Sequence, residues 1–412
     1  MSEIVKTMKL RLHTDEDTNK LFSDVTVRFA EACNFISDYV FNHGFVLNYI
    51  TLQQQWYQTI RSQYGLKSQM AISAFKIVTA RYKAVKEQLF QSPFRYEDED
   101  ENVYYAVRTL EWLWKPVHFK RPQADLVRNR DYSFVDGGRK LSVNTLEKRV
   151  CVKFDTPKCF AKYFNPDEGW SFGTGKLVKL KGKWYFHIPM TKTIPDTFDG
   201  KKPAHIVGID RGIRFLATTY DEKGKTRFIS GKKISAKRDT FKRVRAELQS
   251  KGTKSAKRVL KRLSGRENRW MSDVNHQISK TLVQKYGKDT LFVIEDLTGV
   301  SFEEKNISRD NAKQRNQKRS WAFYQLEMFL KYKAMEIGSD VLKVPADYTS
   351  QRCPKCGRIH KENRNHKTHE YICDACGYRS NDDRIGAMNI YALGTLFVSG
   401  DNNPRFGARK IK

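Results

Sequence analysis

Long apolar runs are absent from this 412-residue chain. None of its apolar stretches reaches the roughly 18–20 residues that a membrane-spanning helix needs. The first thirteen residues alternate charged and bulky side chains, and they lack the apolar centre of a signal peptide. We therefore expect no membrane segment and a cytoplasmic location.

Acidic residues are few relative to basic ones. The chain has 46 Asp and Glu against 76 Lys and Arg, which gives a formal net charge of +30 at pH 7. Hydrophobic residues make up 39% and aromatic residues 12%, which excludes a disordered tail or a histone-like arm. The length suits roughly two to four domains with their own cores. The expected partner of so much positive charge is a polyanion, most often nucleic acid, with a basic but otherwise ordinary enzyme as the alternative.

Cysteine is also scarce, and four of the seven cysteines form two pairs, Cys353 with Cys356 and Cys373 with Cys376. A secreted disulfide framework would spread paired cysteines through a small domain, so a reducing compartment fits better. Two CxxC turns separated by 16 residues are typical of a structural zinc ribbon, in which four thiolates fill every position around the ion. The alternatives are a redox-active CxxC pair or a histidine between the pairs in place of one thiolate.

The N-terminal half combines strand and helix patterns. Residues 1–13 and 117–195 read as a β-rich module, because they contain alternating segments and two predicted hairpins. These hairpins join Tyr132–Phe134 to Leu141–Val143, and Leu177–Leu180 to Trp184–Met190. Residues 14–116 show apolar side chains at helical spacing, which predicts a helical insertion in this module.

The second half shows the order of an α/β domain: three strands, a helix, a strand, a helix and a strand. Two of its apolar runs end in an acid, at Asp210 and at Glu295, and Asp382 and Asp383 open a later helix. Carboxylates at the ends of buried strands lose hydration unless a cation compensates. Their pattern suggests a magnesium site, although surface ion pairs with the many Lys and Arg residues explain the spacing equally well.

Four motifs then occur in a fixed order. They are Gly208–Gly212 (GIDRG), Ile294–Leu297 (IEDL), Thr349–Gly357 (TSQRCPKCG) and Asp383–Ile390 (DRIGAMNI). Together they resemble the split RuvC nuclease of TnpB proteins and of the compact type V CRISPR effectors related to them. The resemblance covers residues 204–396, and it extends more loosely to His118–Pro122. One departure is that the family usually reads Asp-x-Asn-Ala-Ala where this chain has Ile385 and Gly386, which concerns the placement of the helix rather than the acid.

This resemblance implies a domain plan. Residues 1–13 and 117–195 would form a β-barrel-like wedge domain, and residues 14–116 a helical recognition insertion. Residues 204–345 and 381–396 would form an RNase H-like RuvC nuclease domain, interrupted by a zinc ribbon at 346–380 and followed by a C-terminal tail at 397–412.

It also implies the site residues. Asp210, Glu295 and Asp383 would be the catalytic carboxylates that bind Mg²⁺, with Asp382 as the neighbouring candidate. Arg352 would contact the scissile strand. The structural Zn²⁺ would be bound by Cys353, Cys356, Cys373 and Cys376.

Two basic stretches are candidate nucleic-acid contacts. The segment from Lys232 to Arg269 has fifteen Lys and Arg, and as a helical hairpin it would offer a cationic face suited to phosphates. Its candidates are Lys237, Arg238, Lys242, Arg243, Arg245, Lys257, Arg258, Lys261 and Arg262. An earlier set is interleaved with aromatic residues that could stack on unpaired bases or simply pack in a core. Its candidates are Lys120, Arg121, Arg128 and Arg130.

We therefore expect an RNA-guided DNA endonuclease in the prokaryotic cytoplasm. A bound guide RNA would read double-stranded target DNA beside a short flanking motif, and a two-metal mechanism would cleave the phosphodiester bonds. The alternatives are a nuclease-inactive RNA-guided DNA-binding repressor and a guide-independent, structure-specific RuvC-like nuclease. A monomer on one RNA is expected, and a dimer stays open.

Overall fold

The computed structural model describes residues 2–100, 102–155, 158–198, 202–297, 323–365 and 368–407. The chain separates into two compact units: the first is Val5–Thr193, and the second combines the residues up to Ile4 with those from Ile194 onward. Both contain helices and strands, so the predicted mixed α/β character is confirmed. None of the helices in the described ranges combines the length and apolar character needed to cross a membrane.

In the N-terminal half, one strand is followed by three consecutive α-helices and then by nine strands. The helices are α1 Glu16–Asn42, α2 Tyr49–Tyr64 and α3 Ser68–Phe90. The strands are β1 Ser2–His13, β2 Phe94–Glu97, β3 Val103–Ala106, β4 Gln123–Leu126, β5 Tyr132–Val135, β6 Lys140–Asn144, β7 Arg149–Asp155, β8 Ser171–Phe172, β9 Gly175–Leu180 and β10 Lys183–Ile194.

Most of these strands form one sheet. Its order is β4-β9-β10-β1-β7-β6-β5, and β8 pairs with β10. Both predicted hairpins are present, with Tyr132 opposite Val143 in one and Trp184 opposite Lys179 in the other. The path of paired strands ends at β4 and β5, so the described pairing does not close the barrel-like module that the sequence predicts.

The predicted helical insertion at 14–116 is only partly helical. α1 begins after Asp15, whose side chain accepts a hydrogen bond from the backbone N–H of Thr18 at 2.8 Å and so caps the helix. After α3, the strands β2 and β3 form a hairpin with Phe94 opposite Ala106. The sequence prediction missed this hairpin because each strand has four residues, too few for a periodic pattern to be decisive.

The second unit contains five further helices and eight strands within the described residues. The helices are α4 Lys232–Lys251, α5 Lys254–Leu263, α6 Arg266–Tyr286, α7 Phe323–Glu336 and α8 Asp382–Val398. The strands are β11 His205–Asp210, β12 Phe215–Asp221, β13 Thr226–Ser230, β14 Thr290–Glu295, β15 Asp340–Val344, β16 Arg364–Asn365, β17 Glu370–Ile372 and β18 Arg379–Asn381.

Five of these strands form a mixed sheet in the order β13-β12-β11-β14-β15. The first three are antiparallel, whereas β11, β14 and β15 run parallel to one another. Parallel neighbours have their carboxyl ends at the same edge of the sheet. This topology therefore brings the ends of β11 and β14 together.

The basic segment 232–269 is helical, as predicted, but it contains α4, α5 and the start of α6 rather than two helices alone. Gly252 follows α4 with φ +60°, and Gly265 precedes α6 with φ +74°. Glycine adopts this left-handed conformation without steric cost, so each of the two residues breaks the helical path.

Helix α8 packs closely against the mixed sheet. A Cβ atom on Gly208 of β11 would lie 2.3 Å from the backbone oxygen of Ala387, and one on Gly394 would lie 2.4 Å from Cγ2 of Val293. Only glycine permits this approach of helix and strands. The contact places the first turn of α8 beside the carboxyl end of β11.

Candidate metal centres and nucleic-acid interface

Three of the predicted acids converge at one edge of the mixed sheet. Asp210 and Glu295 are the last residues of β11 and β14, and these parallel strands place Ile209 opposite Ile294. The two acids are thus neighbours. Asp383 approaches from the first turn of α8, because its Oδ1 lies 3.9 Å from the position of a Cβ atom on Gly212.

The three carboxylates influence one another electrostatically. Burial raises the pKa of Asp210 well above its usual range, and the negative charges of Glu295 and Asp383 raise it further. Burial also raises the pKa of Glu295, while a hydrogen bond from Thr349 opposes the rise. The pKa of Asp383 is raised by burial and by the charge of Asp382. A cation would relieve the cost of ionising these acids.

Asp382 and Asp383 differ in their partners. The Oδ2 atom of Asp382 accepts a hydrogen bond from Arg364 Nε at 3.0 Å and lies 3.3 Å from His369 Nδ1, and its Oδ1 accepts one from the backbone N–H of Asp383. The Oδ2 atom of Asp383 is buried and has no hydrogen-bond partner within the described part of the chain. Unpaired buried carboxylate oxygens are costly, so the arrangement favours Asp383 over Asp382 as a metal ligand.

The donor set fits a hard divalent cation such as Mg²⁺. Three carboxylates meet at one edge, one of them with a free buried oxygen, and carboxylate oxygens are the ligands that Mg²⁺ prefers. His369, Asp382 and Asp383 also bring ligand atoms within 4.8 Å of one another. Both oxygens of Asp382 already have polar partners, so Asp383 is the better candidate ligand of the two acids.

Three residues at this site were missed by the sequence prediction. The buried Arg211 donates from Nη2 to the backbone oxygen of Glu295 at 2.6 Å, and it directly follows Asp210, which could have drawn attention to it. Thr349 opens the third motif, yet nothing in the pattern assigned it a partner. Arg364 lies between the cysteine pairs, and its positive charge opposes the effect of burial on the pKa values of all three acids.

The four paired cysteines form a tetrahedral set. The sulfur atoms of Cys353 and Cys376 are 3.7 Å apart, those of Cys356 and Cys373 are 3.6 Å apart, and all four lie within 4.8 Å of one another. Zinc–sulfur bonds of about 2.3 Å in a tetrahedron give sulfur–sulfur edges of about 3.8 Å. The cysteine cluster therefore has the dimensions of a zinc site.

Two matching turns deliver these thiols. The backbone N–H of Gly357 donates to Cys353 O, and that of Gly377 donates to Cys373 O, both at 3.0 Å. Both glycines have positive φ, at +80° and +67°. A hydrogen bond from the backbone N–H of Arg358 lowers the pKa of Cys356, whereas burial raises the pKa of Cys353.

The geometry does not favour the alternatives for the cysteines. The sulfur separations are far longer than the roughly 2.05 Å of a disulfide. His360 Nδ1 lies 3.8 Å from Asp374, and His369 lies beside Asp382, so each of them faces a carboxylate. His366 lies outside the described residues.

Arg352 is held by the protein itself. Its Nη1 donates to Asn389 Oδ1 at 3.2 Å, and its guanidinium lies 4.5 Å from the centre of the Phe406 ring. The side chain is half-buried. These contacts fix the residue beside the first cysteine, and contact with a scissile strand stays a prediction.

The predicted basic face of 232–269 contains one residue that does not fit. Arg238 is buried and its Nε lies 3.4 Å from Glu267 Oε1, so it serves an internal ion pair. The other candidates of this stretch are exposed or half-buried. The exposed members are Lys237, Arg243, Arg245, Lys257, Arg258, Lys261 and Arg262.

The earlier basic set lies in the first unit. Lys120, Arg121 and Arg130 are exposed, and Arg128 is half-buried with its guanidinium 4.8 Å from the centre of the Phe172 ring. Nearby in the sequence, Trp114 has 87% of its surface exposed. An exposed indole among cations is available for stacking on a base.

Two family models match the sequence. Residues 187–300 match the model described as "Probable transposase" (OrfB_IS605), and residues 323–390 match the model described as "Cas12f1-like, TNB domain". Both matches fall mainly in the second unit, and together they include Asp210, Glu295, Asp383 and the four paired cysteines.

Several curated proteins are similar to the chain. "CRISPR-associated endodeoxyribonuclease Cas12f1" of Syntrophomonas palmitatica is 28% identical over 248 residues, which are 56% of this chain and 47% of that protein. The protein of the same name from Sulfoacidibacillus thermotolerans is 24% identical over 410 residues, covering 91% and 90%. "Putative RNA-guided DNA endonuclease InsQ" of Escherichia coli is 30% identical over 270 residues, covering 59% and 64%. The match thus spans about half the length of the first relative.

Proposed function

We propose that the chain is an RNA-guided DNA endonuclease of the TnpB-like family, on the basis of the family models and relatives that it matches. The observation that supports cleavage is the meeting of Asp210, Glu295 and Asp383 at one sheet edge, with one buried oxygen of Asp383 left unpaired. An inactive binding protein would not need three acids whose pKa values burial raises.

In this proposal the three carboxylates hold Mg²⁺. When bound, the metal activates water and stabilises the leaving oxygen of a phosphodiester. Asp210 and Glu295 supply ligands from adjacent strands, and Asp383 supplies one from α8. Arg364 and His369 hold the Asp382 carboxylate beside Asp383, and Arg211, the residue after Asp210, donates to the backbone oxygen of Glu295.

The zinc ribbon serves a structural role in the proposal. Cys353, Cys356, Cys373 and Cys376 would bind Zn²⁺, and four thiolates leave no open position for substrate or water. Arg352, fixed between Asn389 and Phe406, would present its remaining guanidinium nitrogens to the DNA strand that is cut.

We assign RNA binding and DNA binding to the domains of the predicted plan. The wedge residues, 1–13 and 117–195, and the insertion at 14–116 would hold the guide RNA and read the flanking motif through cations such as Lys120, Arg121, Arg128 and Arg130. The nuclease segments, 204–345 and 381–396, would use the exposed cations of α4 and α5 on phosphates. Base pairing with the guide would then read the sequence, and the protein would grip the backbone.

The decisive experiment uses the full chain with the RNA that co-purifies with it. Asp210→Asn and Glu295→Gln should each lower Mg²⁺-dependent plasmid cleavage by at least about a hundredfold, since each removes a ligand. RNA and target binding should be unchanged. Asp17→Asn, which alters an exposed acid on α1, is the matched control and should cleave normally.

Each other outcome has a definite meaning. Normal cleavage by either variant would overturn the metal-site assignment. Target binding without cleavage by the wild-type protein would indicate the repressor, and cleavage without RNA would indicate the guide-independent nuclease. Sequencing the bound RNA distinguishes a transposon-end RNA from a repeat-derived guide, and its absence would refute guidance.

A further inference from the structure

A chain of hydrogen bonds links helix α8 to the carboxylate of Glu295. Its first member is Thr349, which lies between the end of β15 and the first cysteine and is 2% exposed. The Thr349 hydroxyl donates to Glu295 Oε1 at 2.5 Å, a contact shorter than its 3.0 Å approach to the backbone oxygen of Ala346. The Thr349 hydroxyl thus restrains one carboxylate oxygen of Glu295, the last residue of β14.

Asn389 is the second member of this chain. It lies on α8, fully buried, and its Nδ2 donates to the backbone oxygens of Thr349 and Arg352, both at 2.8 Å. An amide has two N–H groups, so both are used to hold the turn from Thr349 to Arg352. Its Oδ1 accepts a hydrogen bond from Arg352, so the amide is satisfied on both sides.

Helix α8 is therefore connected to all three acids. It contains Asp383, its Gly386 lies against the carboxylate of Asp210, and Asn389 reaches Glu295 through Thr349. The three connections come from three different turns of one rigid element. A shift of α8 would therefore change the surroundings of all three acids.

We propose that Thr349 and Asn389 are positioning residues for the metal site: Asn389 fixes the turn 349–352 to α8, and the Thr349 hydroxyl orients the Glu295 carboxylate. This inference rests on the proposed function. Groups that hydrogen-bond to a metal ligand in this way usually change metal affinity by about ten- to a hundredfold when removed.

The first test compares two substitutions at one position. Thr349→Val keeps the shape and removes the hydroxyl, whereas Thr349→Ser keeps the hydroxyl and removes the methyl group. Binding of Mn²⁺ to the full chain, measured by electron paramagnetic resonance, should be about tenfold weaker in the Val variant and near normal in the Ser variant. The Mg²⁺ concentration for half-maximal cleavage should rise in parallel, with zinc content and target binding unchanged.

The second test asks whether Asn389 acts through Thr349. If it does, Asn389→Ala combined with Thr349→Val should weaken Mn²⁺ binding no more than the stronger single variant does, because coupled residues are not additive. If the losses of Mn²⁺ affinity in the two single variants add up in the double variant, Asn389 does not act through Thr349. Should Asn389→Ala fail to fold, the comparison of Val with Ser at position 349 decides by itself.

The outcomes separate this inference from the proposed function. Equal Mn²⁺ affinity of wild type and Thr349→Val, or an equal defect in the Val and Ser variants, would overturn the positioning role. Wild-type protein that binds Mn²⁺ in a Glu295-dependent way but cleaves no DNA would refute the proposed nuclease and leave the positioning role standing.

Discussion

At the scale of single residues, Gly386 lies directly against the carboxylate of Asp210. A Cβ atom at this position would lie 2.9 Å from Asp210 Oδ2 and 3.0 Å from its Cγ. Glycine within a helix is less favourable than alanine by about 1 kcal/mol. Gly386 therefore weakens the helix slightly but leaves room for the Asp210 carboxylate.

Gly386→Ala should accordingly separate stability from activity. The added methyl group favours the helix but displaces the Asp210 carboxylate. We expect the cleavage rate to fall by between about tenfold and a hundredfold, because small displacements of a catalytic group cause losses of this size. The unfolding temperature should stay the same or rise. Thr395→Ala, at an exposed position of α8, is the control. Full cleavage by Gly386→Ala would show that Asp210 can move without consequence.

At the scale of elements, the zinc ribbon and the acidic site share one segment. The turn that orients Glu295 ends at Arg352, and Cys353 follows directly. The ribbon sheet of β16, β17 and β18 is small, with strands of two or three residues. An element of this size depends on its metal for folding. The acidic site depends in turn on the segment before Cys353, which holds Glu295.

Removal of the zinc should therefore affect both the ribbon and the acidic site. Cys356→Ser is expected to lower the zinc content from about one ion per chain towards zero. Amide hydrogen exchange should become fast across residues 353–381, and cleavage should fall because the hold on Glu295 is lost. Cys151→Ser, an exposed cysteine on β7, should change none of these. A stable ribbon without zinc would contradict the assignment.

At the scale of the whole molecule, the net charge of +30 is not evenly available for binding. Arg238 is buried in an ion pair with Glu267, and Arg245 reaches the same acid at 2.6 Å. The cations of α5, by contrast, have no acidic residue on their own helix and are exposed. The cations of α5 are therefore more available for binding than Arg238 is.

Salt dependence can distinguish these two kinds of cation. Replacing four of the five exposed cations of α5 by Gln should weaken nucleic-acid binding and reduce the slope of log affinity against log salt by up to about 3.6, since each phosphate contact contributes about 0.7–0.9. The four are Lys257, Arg258, Lys261 and Arg262. Arg238→Gln should instead lower the unfolding temperature and leave the slope unchanged. An unchanged slope for the α5 variant and a reduced slope for Arg238→Gln would show that α5 is not part of the nucleic-acid interface.

Much of the molecule could be predicted from local sequence. The hairpins at 132–143 and 177–190 and the apolar runs ending in Asp210 and Glu295 were readable, because strand alternation and turn chemistry act over a few residues. The β2–β3 hairpin was not, since its strands are too short. The helical character of 232–269 was also readable, but two glycines divide this segment into three helices instead of two.

The sequence by itself determined which residue types are present and their local spacing: paired cysteines, acids at strand ends and a surplus of cations. Only the tertiary structure decided that Asp383 rather than Asp382 has a free oxygen, that Arg238 is internal, and that Thr349 reaches Glu295. The physical reason is separation along the chain. Thr349 and Glu295 are 54 residues apart, and such contacts exist only after the sheet and α8 have packed together.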